Sequence, residues 1–197
     1  MSPPSANSDA GPGMVASHPV HDGRIVHLSV DTVRFPDGSI GELELIRHSG
    51  ASAVLPLLGE RGDPEAEILL IRQYRYASGG YMLEVPAGRP DAPGEDWELC
   101  ARRELEEETG MVAGRVTRMT GIFTTPGFTD EFIHLYLAED LTPGTTAHDD
   151  DEFIETVRMP LSIALTRIAN GEITDGKTII ALLFANVFLL KGQERRS

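Results

Sequence analysis

From Arg24 onward the apolar positions follow a near-alternating pattern: Ile25, Leu28, Val30 and Val33, then Ile40, Leu43 and Leu45 beyond Phe35-Pro36-Asp37-Gly38. Alternation sends successive side chains to opposite faces, so this stretch predicts two strands joined by a Pro-Asp-Gly turn. A third strand is predicted over Ala53 to Leu58, a fourth over Ile68 to Arg72 after the Arg61-Gly62-Asp63-Pro64 loop, and a short one over Tyr81 to Val85. Glu95 to Thr109 is dense in Glu, Leu, Ala and Arg, a helical composition, and Gly110 supplies its stop. Arg115 to Phe123 and Phe132 to Ala138 read as strands separated by a Pro126-Gly127 turn, and Thr142 to Asp151 as an acidic loop. Glu155 to Met159 is extended, Leu161 to Ala169 is a helix closed by Asn170-Gly171, and Lys177 to Leu190 is the last helix. Strands and helices mix without regular alternation, so the expected class is α+β, mixed sheets packed against helices.

Composition narrows the picture. At 197 residues and 41% hydrophobic the chain can bury one substantial core. The segment from Met1 to Gly13 has neither a basic start nor an apolar stretch, and residues 1–20 are expected to form a flexible tail rather than a signal or anchor. The longest apolar run, Thr178 to Leu190, contains Asn186 and is shorter than the roughly 20 residues a bilayer requires. A cytoplasmic protein with no membrane partner is therefore expected. A net charge of -14, from 31 acidic against 17 basic residues, argues against nucleic acid as a partner. A phosphate-bearing ligand would need divalent cations or a local arginine. The single Cys100 excludes an intramolecular disulfide and reads as a small buried residue; the six histidines show no metal or triad spacing.

The stretch that changes the functional picture is Arg103-Glu104-Leu105-Glu106-Glu107-Glu108-Thr109-Gly110. On a helix advancing about 100° per residue, Glu104, Glu107 and Glu108 share a face at i, i+3 and i+4. Trp97, Ala101 and Leu105 form the natural buried stripe, with Glu104 and Glu108 alongside it, whereas Glu106 falls on the far side as an ordinary exposed residue. A solvated acidic face would lie opposite the stripe. Carboxylates crowded at the edge of a core repel one another unless a cation stands among them, and Mg²⁺ takes a few carboxylates, waters and phosphate oxygens. Arg103, one turn before Glu107, can pair with that carboxylate and hold its rotamer.

These residues resemble the Nudix box, a strand-loop-helix-loop motif, matched here by Gly88, Glu95, Arg103, Glu104, Leu105, Glu107, Glu108, Gly110 and Met111. Arg89 to Gly94 gives six residues where the pattern has five, an insertion that a loop accepts more readily than a helix does. Gln73-Tyr74-Arg75, Leu83-Glu84-Val85-Pro86-Ala87-Gly88, Thr125-Pro126-Gly127-Phe128-Thr129-Asp130-Glu131 and Asp175-Gly176-Lys177-Thr178 look like the ADP-ribose pyrophosphatase branch of that family. The resemblance implies a Nudix fold, mixed sheets packed between helices. It also implies a homodimer built through an N-terminal antiparallel β-segment over residues 21–60, ahead of a catalytic domain at 61–197.

The same resemblance implies Mg²⁺-dependent hydrolysis of ADP-ribose to AMP and ribose 5-phosphate, with Mn²⁺ a candidate substitute. Metal would be held by Glu104, Glu107, Glu108 and the backbone carbonyl of Ala87. In this branch the base comes from a mobile loop, here Thr142 to Phe153; Glu152 is favoured, with Asp149, Asp150 and Asp151 as rivals. Arg75 is the candidate for gripping a substrate phosphate and Glu131 for the terminal sugar, against the plainer readings of an ion pair and a turn cap. Tyr76, Tyr81 and Phe128 could stack on a base, although aromatics beside strands are more often core. Competing expectations are a Nudix enzyme for another nucleotide sugar or dinucleotide, a non-catalytic ADP-ribose-binding module, and a structural protein whose acidic helix is only surface.

Overall fold

A computed structural model describes residues 11–63, 65–147 and 153–190. The chain divides into two compact units, one comprising residues 1–48 and 125–131 and the other residues 49–124 and 132–197.

The first unit holds three antiparallel strands in the order β1 (Gly13–Asp22), β2 (His27–Arg34) and β3 (Ile40–Arg47). The β2-β3 turn is the expected one. Gly38 adopts φ +85, and the Asp37 carboxylate accepts from the Ser39 backbone N–H at 2.9 Å. Residues 13–20, expected to belong to the tail, form β1 instead. Every position of β1 is exposed, so the strand carries no apolar alternation by which its sequence could announce it. Asp31 is the polar anchor of this sheet: Ser17 and Ser29 donate to it, Arg47 pairs with it, and its carboxyl is held below the usual range chiefly by the Ser17 bond. Residues 125–131 run beside β3, with the Ile46 N–H donating to the Phe128 carbonyl at 2.8 Å.

The second unit is built on a mixed sheet in the order β10 (Ile154–Pro160), β5 (Glu67–Arg75), β4 (Ala51–Leu58), β9 (Phe132–Pro143) and β8 (Met111–Phe123). β6 (Gly80–Glu84) pairs with β5, and the two-residue β7 (Ala87–Gly88) pairs with β4. Among the described residues of this sheet only β4 and β9 run parallel. β4 is buried from Ala51 to Leu57 because both of its faces are covered. Val54 packs with Ala101 and Leu105 of helix α1 (Trp97–Thr109). Ala53, Leu55 and Leu57 cluster with Ala164 of α2 (Leu161–Ala169) and with Ala181 and Leu182 of α3 (Gly176–Phe184). The architecture is therefore α+β, as expected, but β4 is the centre of this sheet rather than part of the N-terminal segment that the sequence suggested for residues 21–60.

Three smaller differences have local causes. The α1 helix starts at Trp97 because Asp96 caps it, accepting from the Glu98 and Leu99 N–H groups at 2.9 and 3.2 Å. Strand β9 continues to Pro143, so Thr142 belongs to the sheet and not to the acidic loop. The last helix loosens into a π turn over Ala185–Leu190. Among the described residues no helix is long and apolar enough to cross a membrane.

Candidate active site

The pairing of β7 with β4 fixes where the chemistry can gather. Pro86 accepts from the Val54 N–H at 2.9 Å, and Ala87–Gly88 lie against Ser52 and Ala53, the strand on which α1 packs. One helix face is thereby pressed onto a two-residue backbone segment. Glu108, only 3% exposed, accepts the Ala87 N–H at 3.0 Å. Glu104 lies on Gly88: a Cβ there would meet its Oε1 at 2.0 Å, so any larger side chain has to push the carboxylate away. Glu107, on the same helix face, is more open.

Arg103 binds this patch together. Its Nη1 donates to Glu104 at 2.8 Å and to Glu107 at 2.9 Å, its Nη2 donates to the Arg89 carbonyl at 2.8 Å, and its Nε faces Glu95 at 3.4 Å and Asp91 at 3.2 Å. Burial alone would favour the neutral guanidine. Glu104 and the bonds to Glu95, Glu107 and Glu104 outweigh it, and the pKa of Arg103 is raised. Cys100 lies beneath, its thiol pushed up to about 11 by burial and then by Glu104, so it is no thiolate nucleophile.

Among the described residues no three acidic, histidine or cysteine side chains already close around one point as a preformed metal cage would, and Arg103 Nη1 stands between Glu104 and Glu107. The donor chemistry nevertheless fits a hard divalent cation, since the patch offers carboxylates and backbone oxygen and its one sulfur is protonated. Glu106 does not point away into solvent as expected: it accepts from the Thr145 N–H at 3.4 Å and so ties the helix to the segment after β9. Beside Arg103 a cavity of about 690 Å³ is lined by Ser49, Arg89, Asp91, Glu95, Asp96 and Trp97.

Other residues singled out in the sequence fall elsewhere. Arg75 forks onto Glu84, Nε and Nη2 donating to its two oxygens at 2.8 and 3.0 Å. Glu131, in the first unit, faces His48 at 3.5 Å, and its backbone N–H donates to Thr129 Oγ1. Tyr76, Tyr81 and Phe128 are exposed and not core. Glu152 lies outside the described residues, as do its rivals Asp149, Asp150 and Asp151.

Sequence reasoning gave no role to the buried ion cluster around Glu84. Lys177 also pairs with Glu84, and faces Asp175 at 3.1 Å. Burial pushes the Glu84 carboxyl up, but the Arg75 fork and Lys177 outweigh it and hold it below its ordinary value. The signal available was a lone acid inside the apolar run Leu83-Glu84-Val85, which implies a buried charge with partners. Gln73 was likewise given no role. It is 5% exposed, and its Oε1 has no hydrogen-bond partner among the described residues.

An acidic helix face folded onto an Ala-Gly backbone segment and organised by one arginine is the strand-loop-helix arrangement of a Nudix hydrolase. The NUDIX domain profile matches residues 47–181, and the chain belongs to the Nudix family. It is similar to an ADP-ribose pyrophosphatase of Bacillus subtilis (strain 168), 36% identical over 86% of this chain and 90% of the relative. It is also similar to a methanol dehydrogenase activator of Bacillus methanolicus, 37% identical over the same shares. A crystal structure of an ADP compounds hydrolase superposes with a TM-score of 0.78 at 26% identity, covering 95% of this chain and 98% of that one. The chain is thus a Nudix hydrolase, an enzyme of a family that requires divalent cations.

Proposed function

We propose that the chain hydrolyses the pyrophosphate bond of ADP-ribose, consuming one water and releasing AMP and ribose 5-phosphate, with Mg²⁺ as the working cation and Mn²⁺ as a substitute. The observation that carries this reading is the folding of Glu104 and Glu108 onto Ala87–Gly88. The similar ADP-ribose pyrophosphatase and ADP compounds hydrolase support the choice of substrate.

Glu104, Glu107, Glu108 and the Ala87 carbonyl would hold the cation. When bound it neutralises diphosphate charge and makes an attacking water more acidic. Arg103 positions Glu104 and Glu107 through its paired bonds, and Gly88 leaves room for the Glu104 carboxylate. Glu152 accepts the proton of the attacking water. Arg75 meets a substrate phosphate, and Glu131 contacts the terminal sugar. With a net charge of -14, local cations have to draw an anionic substrate in against the field of the whole protein.

The same reading makes the enzyme a cytoplasmic homodimer acting on a small nucleotide, with neither nucleic acid nor membrane as a partner. Exposed Met14, Val15, Val20, Ile40 and Leu43 in the three-stranded sheet support a partner copy there. Chromatographic product analysis on a panel of ADP-ribose, other nucleotide sugars and dinucleotides tests the substrate. AMP and ribose 5-phosphate from ADP-ribose at the highest kcat/KM is expected, and preference for another conjugate overturns the choice.

A further inference from the structure

We infer that Glu84 is a positioning residue for Arg75, fixing its guanidinium so that its unengaged edge meets the substrate diphosphate, with α3 bracing the pair through Lys177 and Asp175. This rests on the functional reading above, in which Arg75 meets a phosphate.

Glu84 occupies one edge of the guanidinium, through Nε and Nη2. The Arg75 side chain makes no other hydrogen bond to a described residue and is 40% exposed, so the Nη1 edge is left for an anion. A guanidinium held along one edge presents the other in a single plane, which suits two parallel bonds to phosphate oxygens. The chain links the pair to the acidic patch of α1, since Glu84 lies three residues before Ala87, whose N–H Glu108 accepts at 3.0 Å.

The bracing comes from the first turn of α3. Asp175 caps that helix, accepting from the Thr178 N–H at 3.0 Å and from Thr178 Oγ1 at 2.6 Å. Thr178 Oγ1 in turn accepts the Val85 N–H at 2.8 Å. One helical turn therefore grips the carboxylate at 84 and the backbone at 85, immediately before Pro86-Ala87-Gly88. A carboxylate that is 2% exposed gives up its hydration, and a whole buried ion cluster exchanged for apolar side chains is often no less stable. What the ion cluster adds is geometry, and the group whose geometry it sets is Arg75.

Calorimetric binding of inorganic pyrophosphate in Mg²⁺ buffer to the full chain tests this, using wild type, Glu84→Gln, Arg75→Ala, the Arg75→Ala/Glu84→Gln double variant and Arg75→Lys. Each of Glu84→Gln and Arg75→Ala is expected to weaken binding by about 10- to 100-fold, the range of a hydrogen bond to a charged group. The double variant is expected to bind no worse than Arg75→Ala, because Glu84 acts through that arginine. Arg75→Lys, which keeps the charge and loses the fork, is expected to fall with the others, and it decides the matter if Glu84→Gln does not fold. Wild-type affinity in Glu84→Gln or in Arg75→Lys, losses that multiply in the double variant, or a wild type that binds no pyrophosphate overturns the inference. If the coupling is found while ADP-ribose is not hydrolysed, the substrate assignment alone falls.

Discussion

Arg103 and Arg75 flank the same Glu84-to-Gly88 segment and are held in opposite ways. Around Arg103 stand four carboxylates, those of Asp91, Glu95, Glu104 and Glu107, all reached by one guanidinium. Around Glu84 the charges balance, Arg75 and Lys177 against Glu84 and Asp175, and the central carboxylate is almost wholly buried. The first cluster carries surplus negative charge that a divalent cation would relieve, and its four carboxylates share one guanidinium. The second is neutral and gripped by the first turn of α3, so it fixes geometry. The contrast separates a place that must admit charge from a place that must not move.

The largest expected effect breaks the neutral cluster. Glu84→Ala leaves Lys177 without its buried partner, and chemical denaturation should show a loss of about 3–5 kcal/mol. Arg103→Ala, at a more open cluster, should cost less in the same measurement, yet weaken divalent-cation affinity by about 10- to 100-fold. Equal stability losses would dissolve the distinction. Acid sharpens it. The folded-state pKa of Glu84 lies below its ordinary value of 4.5, so its contribution is present above that pH and is lost as pH falls through the lower folded value. Wild type should therefore lose stability below pH 4.5 that Glu84→Gln does not lose.

Next in size is Gly88→Ala. The added Cβ displaces the Glu104 carboxylate, and a shift of that order is expected to lower kcat/KM by about 100-fold with the fold retained. Unchanged turnover would show that Glu104 need not lie on that backbone. The smallest effect is at Gln73, whose buried Oε1 lacks a partner among the described residues. Gln73→Met is expected to raise stability by about 1 kcal/mol in thermal unfolding, whereas a loss would reveal a polar partner for that oxygen.

What the sequence made legible follows from range. The α1 chemistry was readable because Arg103, Glu104, Glu107 and Glu108 are neighbours on one helix, where spacing alone fixes the face. The Gly110 stop of α1 is a local signal of the same kind, whereas the Asp96 cap went unread and the helix was expected from Glu95. The Glu84 cluster was not readable, since Lys177 lies 93 residues away and only the packing of α3 brings it to β6. Strand β1 escaped because a fully exposed strand has no buried face to impose a pattern. Glu106 was misjudged because the helical wheel knows nothing of the segment at Gly144 and Thr145 that lies over it.

The most direct test of the α1 carboxylates is the Mg²⁺ dependence of ADP-ribose hydrolysis by Glu108→Gln, compared with wild type at equal folded fraction. Glu108 should matter both as an oxygen donor and as the acceptor of the Ala87 N–H, and turnover is expected to fall by at least about 100-fold with the circular dichroism spectrum unchanged. Full magnesium-dependent turnover in that variant would contradict the assignment of the acidic helix face as the catalytic centre.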